Sequence, residues 1–102
     1  MDFTVENILI PADHPCFDGH FPGHPIFPAV AQLDLVLDHL QRILDQSLTL
    51  SEVRKAKFPA PILPGTRVHL SLKVQDHTAF WKIFADDKIY SQGMVQFIKS
   101  LL

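Results

Sequence analysis

Five of the eight prolines in this 102-residue chain fall between Pro11 and Pro28, together with two of its four glycines. Proline lacks an N–H donor and locks its own backbone angle, so this stretch cannot be a regular helix. It carries Phe17, Phe21, Ile26 and Phe27, which need burial, so a structured loop is expected rather than a free linker. A helix is expected next, from Pro28 or Ala29 to about Gln46, because proline suits a first helical turn. Val30, Leu33, Val36, Leu37, Leu40, Ile43 and Leu44 recur there at helical spacing. Ala29 to Leu37 is apolar all round except for Gln32 and Asp34, so the first half of the helix is expected to be the more deeply buried.

The remainder reads as strands. Phe3 to Ile10 alternates loosely and is expected as a first strand, and Glu52 to Phe58 as the second. Pro61-Ile62-Leu63-Pro64-Gly65 reads as a turn, with glycine supplying backbone freedom. Val68, Leu70, Leu72 and Val74 alternate with polar residues as in a half-buried strand. Ala79 to Ala85 and Ile89 to Ile98 follow, joined by Asp86-Asp87, with Gly93 read as a bulge. One strand, one long helix and four antiparallel strands make a single α+β domain over residues 1–102.

Composition narrows the function classes. A net charge of −2 without a basic stripe argues against nucleic-acid binding. Hydrophobic residues make up 47% of the chain, more than so small a core needs, so an oligomer interface or an acyl-binding tunnel is expected. No apolar run approaches the length of a membrane span, and Met1 to Glu6 reads as no secretion signal. The lone Cys16 excludes an internal disulfide and fits a reducing cytoplasm.

His14, Cys16, His20 and His24 crowd the proline-rich loop. His and thiolate are zinc ligands, but Pro22, Gly23 and Pro25 forbid the helix that would put His20 and His24 on one face, and no metal is expected. His14 and His24 read as solvated loop residues and Cys16 as a small packing residue. His20, framed by Gly19 and Phe21-Pro22, suits a neutral proton acceptor. Asp34 lies among Val30, Ala31, Leu33, Leu35 and Leu37, where a carboxyl group needs a partner or a proton. It could equally belong to a polar helix stripe with Asp38, Gln41 and Asp45. The unpaired N–H groups of a helix start, at Ala29 or Val30, could polarise a carbonyl.

The run from Gly19 through His20-Phe21-Pro22-Gly23-His24-Pro25-Ile26-Phe27 to Pro28, followed by Asp34, resembles the hot-dog-fold 3-hydroxyacyl-acyl-carrier-protein dehydratases of fatty-acid synthesis. Lys57-Phe58, Pro61, Pro64-Gly65 and the strand around Gly93 resemble that family further along, so the similarity spans about residues 10 to 98. Ala31-Gln32-Leu33-Asp34 is most similar to short dehydratases of aryl-polyene and polyketide-like lipid synthesis. The resemblance implies a hot-dog fold, in which the sheet wraps a long central helix, and a dimer whose sites are built from both chains. It implies that His20 takes a proton from the carbon beside the thioester carbonyl and that Asp34 serves the departing hydroxyl. Ala29 stands where the family usually has the glycine whose N–H binds the carbonyl. No metal or organic cofactor is implied.

On this resemblance the expected reaction converts a (3R)-hydroxyacyl thioester on acyl carrier protein to the trans-2-enoyl thioester, in the cytoplasm. Phe17, Phe21, Phe27, Phe58 and Trp81 are candidates for the acyl tunnel, and Arg54, Lys55, Lys57 and Arg67 for carrier-protein docking. The implied assembly is a homodimer, an oligomer of dimers, or a heterodimer with a related hot-dog subunit. A non-catalytic, partner-dependent subunit and an acyl-thioester hydrolase are the competing readings.

Overall fold

A computed structural model describes residues 1–13 and 26–100. The elements are β1 (Asp2–Leu9), α1 (Ala29–Leu44), β2 (Leu48–Lys57), β3 (Arg67–Gln75), β4 (Thr78–Ala85) and β5 (Lys88–Lys99). The five strands form one antiparallel sheet in the order β1-β3-β4-β5-β2. This is the α+β arrangement expected from the sequence, with the helix laid on one face of the sheet.

Alternation sorts the strands' side chains onto two faces. Val68, Leu70, Leu72 and Val74 of β3 and Ala79, Trp81 and Ile83 of β4 are buried. They form the core with Val36 and Leu40 of α1. The other face is wet, and the strand register sets its rows. Lys73 lies opposite Phe80, Phe80 opposite Met94, and Met94 opposite Arg54. The next row is Ser71, Lys82, Gln92 and Lys57.

Helix α1 starts behind Pro28, whose extended backbone (φ −73°, ψ 163°) turns the chain into the first turn without a side-chain cap. It ends on Asp45 in the left-handed conformation, φ 52°. The Gln41 side chain then accepts the Leu48 N–H at 2.8 Å, steering the chain directly into β2.

Two expectations need correction. β2 begins at Leu48, four residues before the expected Glu52, because Leu48, Thr49 and Leu50 find partners in Lys99, Ile98 and Phe97. Gly93 is not bulged: it pairs in register with Trp81. The irregularity facing Gly93 lies on β2, where Lys55 and Ala56 fall between the Arg54–Met94 and Lys57–Gln92 pairs and Lys55 takes φ 55°, while the register shift of β5 against β4 falls at Tyr90. A Cβ on Gly93 would come within 2.5 Å and 2.7 Å of Trp81 Cη2 and Cζ3, so the glycine admits the indole. As expected, the first half of α1 is the more buried, holding three of its four buried residues, but it is not buried all round. Ala31, Gln32, Val36 and Leu40 face the sheet, while Ala29, Val30 and Asp34 are exposed. One helix on a sheet buries one stripe, and the apolar residues beyond that stripe stay uncovered in a single chain.

The turn expected at residues 61–65 ties three parts of the chain together. Gly65, at φ 81°, donates its N–H to Ile10 O at 2.7 Å, and Ile10 donates to Thr66 O at 2.9 Å. Phe27 donates to Ile62 O at 2.8 Å.

Candidate active site

The start of α1 opens onto a cavity of about 280 Å³ walled by Ile26, Phe27, Pro28, Ala29, Gln32, Phe58, Ala60 and Pro61. Each wall has a local cause. Pro28 sets the entry angle of the helix, and the Phe27–Ile62 hydrogen bond holds the preceding residue against the turn after β2. Phe58 follows the last residue of β2 and is 39% exposed, so its ring stands at the mouth rather than in the core.

The helix terminus supplies the polarity. Its first N–H groups have no intrahelical acceptors and carry a partial positive charge. No acidic side chain occupies the first turn to neutralise it. Ala29 is exposed and is not among the positive-φ residues, so no left-handed backbone is demanded there, and as the first residue of α1 its N–H has no intrahelical acceptor. Gln32, one turn further on, is 3% exposed and donates through Nε2 to Phe27 O at 3.2 Å. Its Oε1 is buried and, among the described residues, accepts no hydrogen bond. A buried acceptor left unpaired costs about 1–3 kcal/mol.

The cavity therefore brings together Phe27, Ala29 and Phe58 of the expected site, with Val30 beside it at 67% exposure. It does not include Trp81. That side chain is 2% exposed, donates its indole N–H to Ser91 Oγ at 3.0 Å and packs over Gly93, which makes it a core residue. Asp34 is exposed, on the side of α1 away from the sheet, two residues and roughly 200° past Gln32. Within one chain its position matches the polar-stripe reading and not the buried one. His14, Cys16, Phe17, His20, Phe21 and His24 lie outside the described residues. Among the described residues no three His, Cys, Asp or Glu side chains gather as metal ligands.

The expected basic residues divide. Lys55 and Lys57 join Lys73 and Lys82 around a groove of about 740 Å³ on the wet face, lined also by Phe80, Trp81 and Met94. Arg54 is tied to Glu52 at 2.9 Å, and that hydrogen bond raises the Arg54 pKa. Arg67 pairs with Leu9 near the other edge of the sheet. Sequence reasoning passed over Gln32. The signal was there: it is the one polar member of the stripe Gln32, Val36, Leu40, whose other two residues are fully buried.

Comparison with known proteins decides the family. The model of the ApeI-like family, described as ApeI dehydratase, matches residues 3–94. The chain belongs to that family. ApeI-like similarity extends to solved structures: a chain of the dehydratase heterocomplex ApeI:P from Xenorhabdus doucetiae superposes with a TM-score of 0.85 at 26% identity, covering 96% of this chain and 88% of that one. An uncharacterized protein from Erwinia carotovora superposes with a TM-score of 0.77 at 30% identity, over 99% and 87% of the two chains. The fold is thus the hot-dog arrangement expected from the sequence. Among curated relatives, the 3-hydroxyacyl-acyl-carrier-protein dehydratase FabZ of Myxococcus xanthus is 37% identical over 78% of this chain. That of Campylobacter curvus is 37% identical over 88%. The chain spans 57% and 68% of the length of these two relatives. Among the described residues no helix is long and apolar enough to cross a membrane.

Proposed function

We propose that this chain dehydrates a (3R)-hydroxyacyl thioester, held on an acyl carrier protein, to the trans-2-enoyl thioester. The observation that carries the reading is an uncapped helix N-terminus, free of acidic residues, opening onto an apolar cavity in an ApeI-like chain. A thioester carbonyl docked against the Ala29 or Val30 N–H gains stabilisation as negative charge develops on its oxygen. His20 is the base. It takes the proton from C2, the C2 electron pair forms the double bond, and the C3–O bond breaks. Asp34 supplies the proton that lets the hydroxyl leave as water. Phe27 and Phe58 flank the acyl group. No cofactor enters the reaction.

Within one chain Asp34 faces away from the cavity, so the reading requires a second subunit to bring Asp34 to His20. Val30 at 67% exposure and the half-buried Leu33 and Leu37 flank Asp34 along α1 and suit pairing of helix against helix. The proposal includes a dimer, alone or as part of a larger oligomer, and a cytoplasmic location. Lys55 and Lys57, directly before Phe58 at the cavity mouth, are the residues offered for carrier-protein docking. The structure separates Arg67 from them and ties Arg54 to Glu52.

The test is conversion of 3-hydroxyacyl carrier proteins of several chain lengths, followed by mass spectrometry for loss of water. His20→Ala is expected to lower the rate by about 10²–10⁴. Full activity in His20→Ala would sink the reading, and release of free thiol would point to a hydrolase instead. A second reading is a subunit active only with a partner. Two facts favour it: a matched chain comes from a heterocomplex, and Ala29 replaces the resembled family's usual glycine. A pure preparation without turnover, activated on mixing with a related hot-dog subunit, establishes that case.

A further inference from the structure

The stripe of α1 that faces the sheet is apolar at Val36 and Leu40, both with no exposed surface, yet polar at Gln32. An aliphatic side chain at 32 would fill the same space without burying an amide. Half of that amide is explained. Nε2 donates to Phe27 O at 3.2 Å and fixes the peptide that leads into the helix. This bond also fixes which way the amide points, since turning it over would set two oxygens against each other. The other half is unexplained: Oε1 has almost no exposed surface and, among the described residues, accepts no hydrogen bond. Gln32 is one of the residues that wall the cavity at the helix start. It lies three residues after Ala29 and therefore on the same side of the helix, with the two Cβ atoms about 5–6 Å apart.

We propose that Gln32 is a substrate-positioning residue whose Oε1 accepts a hydrogen bond from a neutral O–H or N–H donor of the bound acyl thioester. The proposal rests on the dehydratase reading only for the identity of the ligand. A thioester with its carbonyl at the Ala29 N–H offers two such donors within a few bonds, the 3-hydroxyl on the acyl side and the first amide N–H on the thiol side. The unpaired atom is an acceptor, so it selects for a donor and against a carboxylate or a phosphate. Gln32 transfers no proton. It aligns the ligand while remaining uncharged, so its effect is independent of pH across the neutral range.

Four probes separate the two donors: a medium-chain acyl group with or without the 3-hydroxyl, each as the N-acetylcysteamine thioester, which has one amide, or the propanethiol thioester, which has none. Binding is measured by calorimetry on the His20→Ala background, so that base-catalysed turnover does not consume the probe. The added change Gln32→Met removes both hydrogen bonds, and Gln32→Glu retains an acceptor. Gln32→Met should weaken the donor-bearing probes about tenfold, the equivalent of about 1.4 kcal/mol, and leave the donor-free probe unchanged. Gln32→Glu should recover part of the difference. A loss that follows the 3-hydroxyl assigns that source, and one that follows the amide assigns the thiol arm. An equal effect on all four probes marks a purely structural role through Phe27 and overturns the proposal, as does no effect. Turnover by the unsubstituted chain is read separately. Failure to form enoyl product refutes the dehydratase reading and leaves the binding result to stand alone.

Discussion

Replacing Gly93 with alanine is a sharp test of the core. The added methyl would sit 2.5 Å and 2.7 Å from Trp81 Cη2 and Cζ3 and 2.9 Å from Ala56 Cα. Two of these neighbours belong to a rigid ring and the third to the backbone of β2, so neither side can yield by a simple rotamer change. Overpacking of this kind costs about 1–3 kcal/mol. Displacing the indole also strains its hydrogen bond to the fully buried Ser91, worth about 1 kcal/mol more. The sum, about 2–4 kcal/mol, is a large part of the stability of a domain this size and corresponds to a fall of about 10–25 °C in Tm. The chain has one tryptophan, so indole emission reports this site alone during denaturant unfolding. Combining Gly93→Ala with Trp81→Phe, which removes the outer ring atoms, should return about 1–2 kcal/mol as a coupling energy, measured by circular dichroism. The Ala56 contact should retain the remaining cost. A destabilisation below about 0.5 kcal/mol, with unchanged emission, would refute the close approach of indole and glycine.

Three further outcomes are expected. Gly65→Ala should cost about 1 kcal/mol, because φ 81° is strained for any side chain while the surrounding space is open; thermal melts check this, and no loss would contradict the left-handed turn. Ser91→Ala should destabilise by about 1–3 kcal/mol by stranding the buried indole N–H, read from unfolding midpoints. Burial on α1 lowers the His39 pKa below 6.5, against the opposing pull of Asp38 and with the help of Arg42. The unfolded chain therefore binds the proton more readily, and stability should fall as pH drops below 6.5 until the folded imidazole also titrates. A His39→Gln variant should lose that component of the melting-temperature profile, and an unchanged profile would count against it.

The sheet was legible in the sequence because its signal is local. The alternation of Val68 to Val74 and the Asp86-Asp87 turn were enough to place β3 and to separate β4 from β5. The start of β2 was not, because Leu48 to Leu50 carries no turn signal and earns its place only through pairing with β5. Gly93 misled for a related reason. A glycine in a strand signals either a bulge or a close approach, and only the position of the Trp81 ring distinguishes them. At the site, proline placement marked the helix start, but the exposure of Asp34 was hidden. An apolar neighbourhood in sequence becomes burial only if something covers that side of the helix, and the sheet covers the other side.

The turn at Ile62–Thr66 binds the chain at both ends of the proline-rich stretch, at Ile10 just before it and at Phe27 near its close. Both ends are thus pinned to one platform that belongs to neither. A segment anchored in this way can be exchanged as a cassette, since its length and side chains can change without shifting β1 or α1. Chimeras carrying a relative's residues between Pro11 and Ile26 should keep this chain's far-ultraviolet circular dichroism and melting behaviour. Any difference in acyl preference would then travel with the cassette.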